Sequence, residues 1–459
     1  MRVARRYLQK NKSMKISYIL LILFLSCSNS IAQISENIDR YVEPLVSNQD
    51  FAGVILVSKN DTIIHLKGYG KGNIEWQQPN TEKSVFHIAS LTKQFTAAAI
   101  LKAQELGLLS IQDSIGSYVP NVYSGKEITI KHLLSHGSGI PDYNDLDGYA
   151  EMSMQAVNLQ NVIIWFKDEP LLFSPGSDYE YSNSNYVLAA RILEIASEMS
   201  YSDFLKTHFF EPLSMHSTGN YTYEDIILYR TEGYDPAPDG VKKASYYNKS
   251  FKLGSGSLYT NAIDLYKWDR ALYTESMLTE SSKEQLFSDY GNQYGLGWGV
   301  YQNDEVGKFV SHDGKSPGYF AYMKRYMNKD SICIIILSNI NSGIMNKMKS
   351  DITNIVFNKE FTLFNTYKII ETLESLQEYT GKYDFPPKFN FTIVEKDKEL
   401  YFQWMDTPFL QYLTPIGSDE FLMRSRYDYL NFKRNDQGEV VAVNYKQKKD
   451  ETICQKLDE

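Results

Sequence analysis

Two β-rich stretches lie at opposite ends of a long helical segment. The first, GVILVSKNDTIIHLKGYG (53–70), is two β-branched runs around Asn60-Asp61, which is a hairpin signal. The second comprises YGLGWGVY (294–301), GYFAYMKRY (318–326) and SICIIILSN (331–339), followed by a helical pattern over about 343–357. A lone hairpin is marginal in water, so early and late strands are expected to share one sheet. This predicts an α+β domain over 33–360: an antiparallel sheet joins both ends of the segment, with helices packed against it.

From about residue 372 the texture changes. FNFTIVEK, LYFQWM, FLMRSR, YLNFKR and VVAVNYKQ are short β-type runs separated by turns such as Asp436-Gln437-Gly438. They predict a small all-β barrel or sandwich over 372–459, without a catalytic role. A chain of 459 residues agrees with two domains. A hydrophobic content of 43% and a charged content of 22% are those of a globular protein, and a net charge of −9 argues against nucleic acid as the main partner.

The first 32 residues read as an export signal. Arg2, Arg5, Arg6, Lys10, Lys12 and Lys15 precede the apolar run Ile16–Leu25, and Ser30-Ile31-Ala32 offers a small-x-small cleavage site. Met14 gives an alternative start. Cys27, just past the apolar run, raises a lipid-anchor alternative, against which Phe24 and Leu25 suit a lipobox poorly. The expectation is an exported protein, periplasmic or secreted, with no stable membrane span. Without Cys27, Cys333 and Cys454 remain, and two free thiols are expected.

The chemistry concentrates in FHIASLTKQFTAAAI (86–100). Ser90 and Lys93 are three apart at the start of an apolar helix ended by Gly107, so both face the same way. A serine opening a helix meets unpaired N–H groups and a dipole that favours developing negative charge. A lysine in a dry site has a depressed pKa and can accept a proton. The tetrapeptide alone is weak, since S-x-x-K is usually a cap and a surface lysine. Proton-moving partners are needed. Tyr181-Ser182-Asn183, after Pro175-Gly176 and before a helix, offers a phenol that a nearby cation could bring below its usual pKa of about 10. His312-Asp313-Gly314 leads into Pro317-Gly318 and a strand, where glycine permits close backbone approach.

In order, Ser90-x-x-Lys93, Tyr181-x-Asn183 and His312-x-Gly314 resemble the three motifs of the serine β-lactamase and penicillin-binding protein superfamily, in the branch with class C β-lactamases, D,D-carboxypeptidases, D-aminopeptidases and family VIII esterases. LLSHGSGIPDY and GSGSLYTNAIDLYKW resemble further segments of that branch, so the likeness covers roughly 35–357. The β-rich tail resembles lipocalin-like appendages of some members. The resemblance implies an acyl-enzyme mechanism without a cofactor. Ser90 would attack the carbonyl, and Lys93 and Tyr181 would share its proton. Asn183 would orient Lys93 and the substrate, the backbone N–H groups of Ser90 and Lys315 would hold the oxyanion, and His312 with Gly314 would flank the substrate. The implied partner is a small-molecule or peptide substrate: an ester, a D-amino-acid peptide or a β-lactam.

Departures bear on that choice. His312 replaces a permanent cation, which weakens the case for a dedicated β-lactamase. Gly137 and Ser257 also differ from common residues of the branch. His132 and His136 have i, i+4 spacing, but without H-E-x-x-H they read as structural rather than metal-binding. No G-x-S-x-G supports an α/β-hydrolase. A catalytically inactive peptide or peptidoglycan binding protein or sensor that keeps the penicillin-binding-like fold is the alternative.

Overall fold

The computed structural model describes residues 32–457, apart from 125, 156, 223, 239, 329, 371–374, 388, 406, 408 and 448–449. The export signal read over 1–32, with Cys27, lies outside the described residues except for Ala32. Among the described residues no helix is long and apolar enough to cross a membrane.

The expected sheet is present. Its strands are β1 (Gly53–Lys59), β2 (Thr62–Tyr69), β3 (Gly299–Asn303), β4 (Gly307–Ser316), β5 (Tyr319–Tyr326) and β6 (Cys333–Ser338), in the order β3-β4-β5-β6-β1-β2. β1 and β6 pair antiparallel from Gly53–Ser338 to Ser58–Cys333, which ties the early hairpin to the late strands. Asn60 and Asp61 form the hairpin turn, with φ of 49° and 60°.

Both faces of the sheet are covered, as the uninterrupted apolar run of β1 requires. Val54 and Leu56 enter one core with helix α2 (Thr92–Glu105) and helix α3 (Asn183–Ser197). Ile55 and Val57 enter a second core with α1, residues 32–47, and α4 (Met345–Val356). β6 divides the same way, with Ile335 and Leu337 on the first side and Ile334 and Ile336 on the second. Alternation along a strand thus builds three layers, each fully buried aliphatic side chain contributing roughly 1.5–3 kcal/mol. α2 is buried on nearly every side, and its Ala97, Ala98 and Ala99 have no exposed surface.

The C-terminal region is all-β. Strands Gly381–Phe385, Phe389–Lys396, Glu399–Trp404 and Leu410–Tyr412 form a four-stranded antiparallel sheet. Five further strands between Thr414 and Gln455 form a second. An antiparallel bridge between Tyr383 and Lys456 links them, around an aromatic core that includes Phe391, Phe402, Phe421 and Phe432. Cys333 and Cys454 are free and buried, in different cores.

Candidate active site

Ser90 departs from its expected setting. It occupies a 3-10 turn, Ala89–Leu91, and α2 begins at Thr92, so Ser90 precedes the helix rather than opening it. Ala89 takes φ of +45°, a left-handed conformation that costs a side-chain-bearing residue about 1–3 kcal/mol. The turn is clamped by its neighbours. A Cβ on Gly314 would lie 2.1 Å from the Ile88 carbonyl oxygen and 2.9 Å from the Ser90 nitrogen, so β4 packs directly on the turn.

Lys93, in the first turn of α2, has no exposed surface. Its Nζ lies 2.7 Å from Asn183 Oδ1, 2.7 Å from the Ser255 carbonyl oxygen and 3.2 Å from Ser90 Oγ. Burial pushes its pKa well below that of a free lysine. Asp142 opposes this and Lys252 adds to it. A neutral amine has two N–H donors. The two short contacts use both, leaving the lone pair for the Ser90 hydroxyl. Asn183 Nδ2 donates to Asp142 Oδ2 at 2.7 Å, which fixes the amide so that its oxygen faces Lys93. Asp142 and Ser255 were not singled out from the sequence. Both lie in segments recognised there, LLSHGSGIPDY and GSGSLYTNAIDLYKW, but their partners are distant in the chain.

Tyr181 lies in the loop before α3, with its ring centroid 4.9 Å from Lys93 Nζ, and it lines the same cleft as Ser90. The expectation of a lowered phenol pKa is corrected. Burial pushes Tyr181 far up, and the Ser90 contact only partly offsets it. Burial lowers the pKa of Lys93 as well, which weakens it as a cationic partner for a phenolate. His136 sets the ring's position: its ring lies tilted by 35° against Tyr181 with centroids 4.3 Å apart, and its Nδ1 accepts from the Ser182 N–H at 3.1 Å. His132 serves a different end, because its Nδ1 accepts from the Thr129 N–H in a helix cap.

His312 lies on β4 and lines the cleft that Ser90 opens into. Its Nδ1–H donates to the Asp313 carbonyl at 2.6 Å, and its Nε2 accepts from the Tyr294 hydroxyl at 3.0 Å. Burial lowers its pKa to about 4, so the ring is neutral near pH 7. Ser90, Tyr181, His312 and Lys315 line one cleft of about 480 Å³. A larger cavity, about 810 Å³, opens on the far side of Lys315 against the C-terminal strands. The smaller cleft is the candidate site because it exposes Ser90. The three separated stretches therefore meet, with Lys93 bonded to Ser90 and Asn183 and set against the Tyr181 ring, and His312, Gly314 and Lys315 forming the β4 wall.

The family model described as Beta-lactamase matches residues 38–353, and a Domain of unknown function (DUF3471) matches residues 368–456. Penicillin-binding protein 4* of Bacillus subtilis is 34% identical over 321 residues, 65% of this chain and 70% of that protein. Protein flp of Staphylococcus aureus is 29% identical over 358 residues, 72% of this chain and 70% of that protein. Among solved structures, the octameric penicillin-binding protein homologue from Pyrococcus abyssi aligns with a TM-score of 0.64 at 22% identity, covering 93% of this chain and 100% of that one. The D-amino acid amidase from Ochrobactrum anthropi SV3 aligns at 0.60 and 21%, covering 72% of this chain and 98% of that one. At such identities these two likenesses speak for the fold. The family match spans most of the chain, and with the relatives it gives the conclusion: this protein belongs to the β-lactamase family and is a serine hydrolase of that kind.

Proposed function

We propose that the protein hydrolyses an ester, a D-amino-acid amide or peptide, or a β-lactam through an acyl-enzyme on Ser90. The observation that carries this reading is the buried Lys93 amine, held by Asn183 and Ser255 with its remaining position toward Ser90 Oγ. Ser90 Oγ bonds to the carbonyl carbon as its proton passes to Lys93. The backbone N–H groups of Ser90 and Lys315 hold the oxyanion. The bond to the leaving group breaks as Tyr181, a neutral phenol replenished by Lys93, protonates that group. Water then attacks the acyl carbon, the bond from that carbon to Ser90 Oγ breaks to release the carboxylic acid, and the water's proton returns along the same groups to Oγ to restore Ser90. His312, neutral and fixed by Tyr294, shapes the β4 wall without adding charge. We assign residues 33–360 to this catalytic unit, 372–459 to a separate lipocalin-like β domain, and 1–32 to an export signal that delivers the protein to the periplasm or medium.

A fluorophosphonate or fluorescent penicillin should label the protein covalently, with the adduct mapping to Ser90. Undiminished labelling of Ser90→Ala would remove the reading.

A further inference from the structure

His312 brings no charge to the catalytic cleft near pH 7, yet two cations stand without an ion-pair partner beside the Ser90 turn. Lys249 and Lys252 share the ring of Tyr247, with ammonium groups 5.2 and 5.5 Å from its centroid. Tyr221 lies 5.0 Å from Lys249, and Tyr149 lies 5.9 Å from Lys252. Among the described residues neither ammonium makes a hydrogen bond or an ion pair, and both side chains are half-buried. Aromatic faces attract a cation, but they leave two like charges around one ring unneutralised. Burial lowers the pKa of both lysines; the like charge of Arg230 adds to this at Lys249, while Glu232 opposes it there and Asp142 opposes it at Lys252, each carboxylate from beyond ion-pair distance.

The position ties this pair to the reaction. The Lys252 carbonyl accepts from the Ser255 and Gly256 N–H groups at 3.0 and 2.8 Å, in the turn whose Ser255 carbonyl accepts from Lys93. The Lys252 stem lies along Gly256, where a Cβ would meet Lys252 Cβ and Cδ at 3.6 Å and the Ala89 carbonyl carbon at 3.5 Å. One glycine thus separates the Lys252 side chain from the residue preceding Ser90. The Tyr247 hydroxyl and Ser316 Oγ both meet His87 Nδ1 at 3.1 Å, which links this wall to the end of β4.

We propose that Lys249 and Lys252 form an anion subsite beside the Ser90 turn that holds a carboxylate carried by the substrate. It deepens the function proposed above by naming a charge on the substrate, and it rests on that reading for the reacting carbonyl.

Two esters of similar length separate the cases: 4-nitrophenyl hydrogen glutarate, which carries a carboxylate, and 4-nitrophenyl pentanoate, which does not. The wild-type protein should show a KM about ten-fold lower for the glutarate, a preference typical of a half-buried charged contact. The preference should fall with salt, vanish in Lys249→Met/Lys252→Met and survive in Lys252→Arg. The Ser90→Ala protein binds either ester without consuming it, so its dissociation constants read the same preference independently of turnover. Equal affinities in Ser90→Ala, or a preference unchanged by the double Met variant, would overturn the subsite. Ser90-dependent turnover of both esters without lysine-dependent discrimination would overturn the subsite and leave the hydrolase reading intact. A lysine-dependent preference in Ser90→Ala, with no wild-type turnover of either ester, would uphold the subsite and remove that reading.

Discussion

Lys93 carries the most demanding environment in the site, since a fully buried ammonium is disfavoured unless it is paired and hydrogen-bonded. Asp142 is the group that keeps it from going further. Its carboxylate reaches Lys93 through Asn183 and raises the lysine's pKa against the effect of burial. Replacing it with asparagine removes the charge, so Lys93 should lose its proton at lower pH. The acidic limb of kcat/KM in Asp142→Asn should therefore move toward acid, and a limb that stays in place or moves toward base would exclude this role. His312 adds a second pH effect, on stability. Its folded pKa of about 4 lies below the ordinary 6.5, and burial is the main cause. Above pH 6.5 the ring is neutral in both states. Between 6.5 and 4 the unfolded chain binds a proton that the folded one refuses, so stability falls as pH falls, by up to about 3 kcal/mol. Melting temperatures followed from pH 7.5 to 4 should decline less steeply in His312→Gln than in wild type.

Elements, rather than side chains, decide whether these groups meet. β4 can lie against the Ser90 turn only because Gly314 has no side chain there. In Gly314→Ala the added carbon would meet backbone, which cannot swing aside, so β4 and the turn must separate. We expect Ser90 labelling by the fluorophosphonate to slow at least a hundred-fold, with a stability loss of about 1–3 kcal/mol on denaturant unfolding. Much of this arrangement was legible in the sequence. The β-branched runs predicted the strands, and the S-x-x-K, Y-x-N and H-x-G stretches supplied Ser90, Lys93, Tyr181, Asn183 and His312. What was not legible depends on backbone form or on distant partners. Alanine gives no sign of the left-handed conformation at Ala89 that lifts Ser90 out of the helix. The direction of the Tyr181 shift depends on enclosure by His136, Tyr294 and His312, which meet only after folding. Asp142 sits in a recognised segment, yet nothing local announces that its partner is Asn183.

A buried arginine helps to fasten the C-terminal β-region to the rest of the protein, beside the packing of Leu422 and Tyr427 into the second core of the sheet. Arg424 follows the strand Glu420–Met423, and its Nε donates to Asp50 Oδ1 at 2.7 Å, both groups being almost wholly buried. It also donates to the carbonyls of Gln49, at 2.6 Å, and Gly240. Tyr367 and Tyr427 donate their hydroxyls to the same carboxylate at 2.8 and 3.0 Å. The donors of the guanidinium are thus spent on the first region, and the acceptors of Asp50 on residues that follow it in the chain. Removing one member of such a pair leaves the other buried and uncompensated, which costs about 3–5 kcal/mol. Arg424→Met should lower the free energy of urea unfolding by about that amount. Adding Asp50→Asn should recover part of it, because a neutral amide keeps hydrogen bonds to both tyrosines without carrying the stranded charge. If both effects are under 1 kcal/mol, the arginine is a surface-like contact and the two regions are held by apolar packing instead. Arg424 also lines the 810 Å³ cavity that Lys315 borders. A loosened C-terminal region should therefore disturb β4 at the end nearest Ser90, and the Arg424→Met protein should lose Ser90 labelling at urea concentrations below those that unfold the sheet.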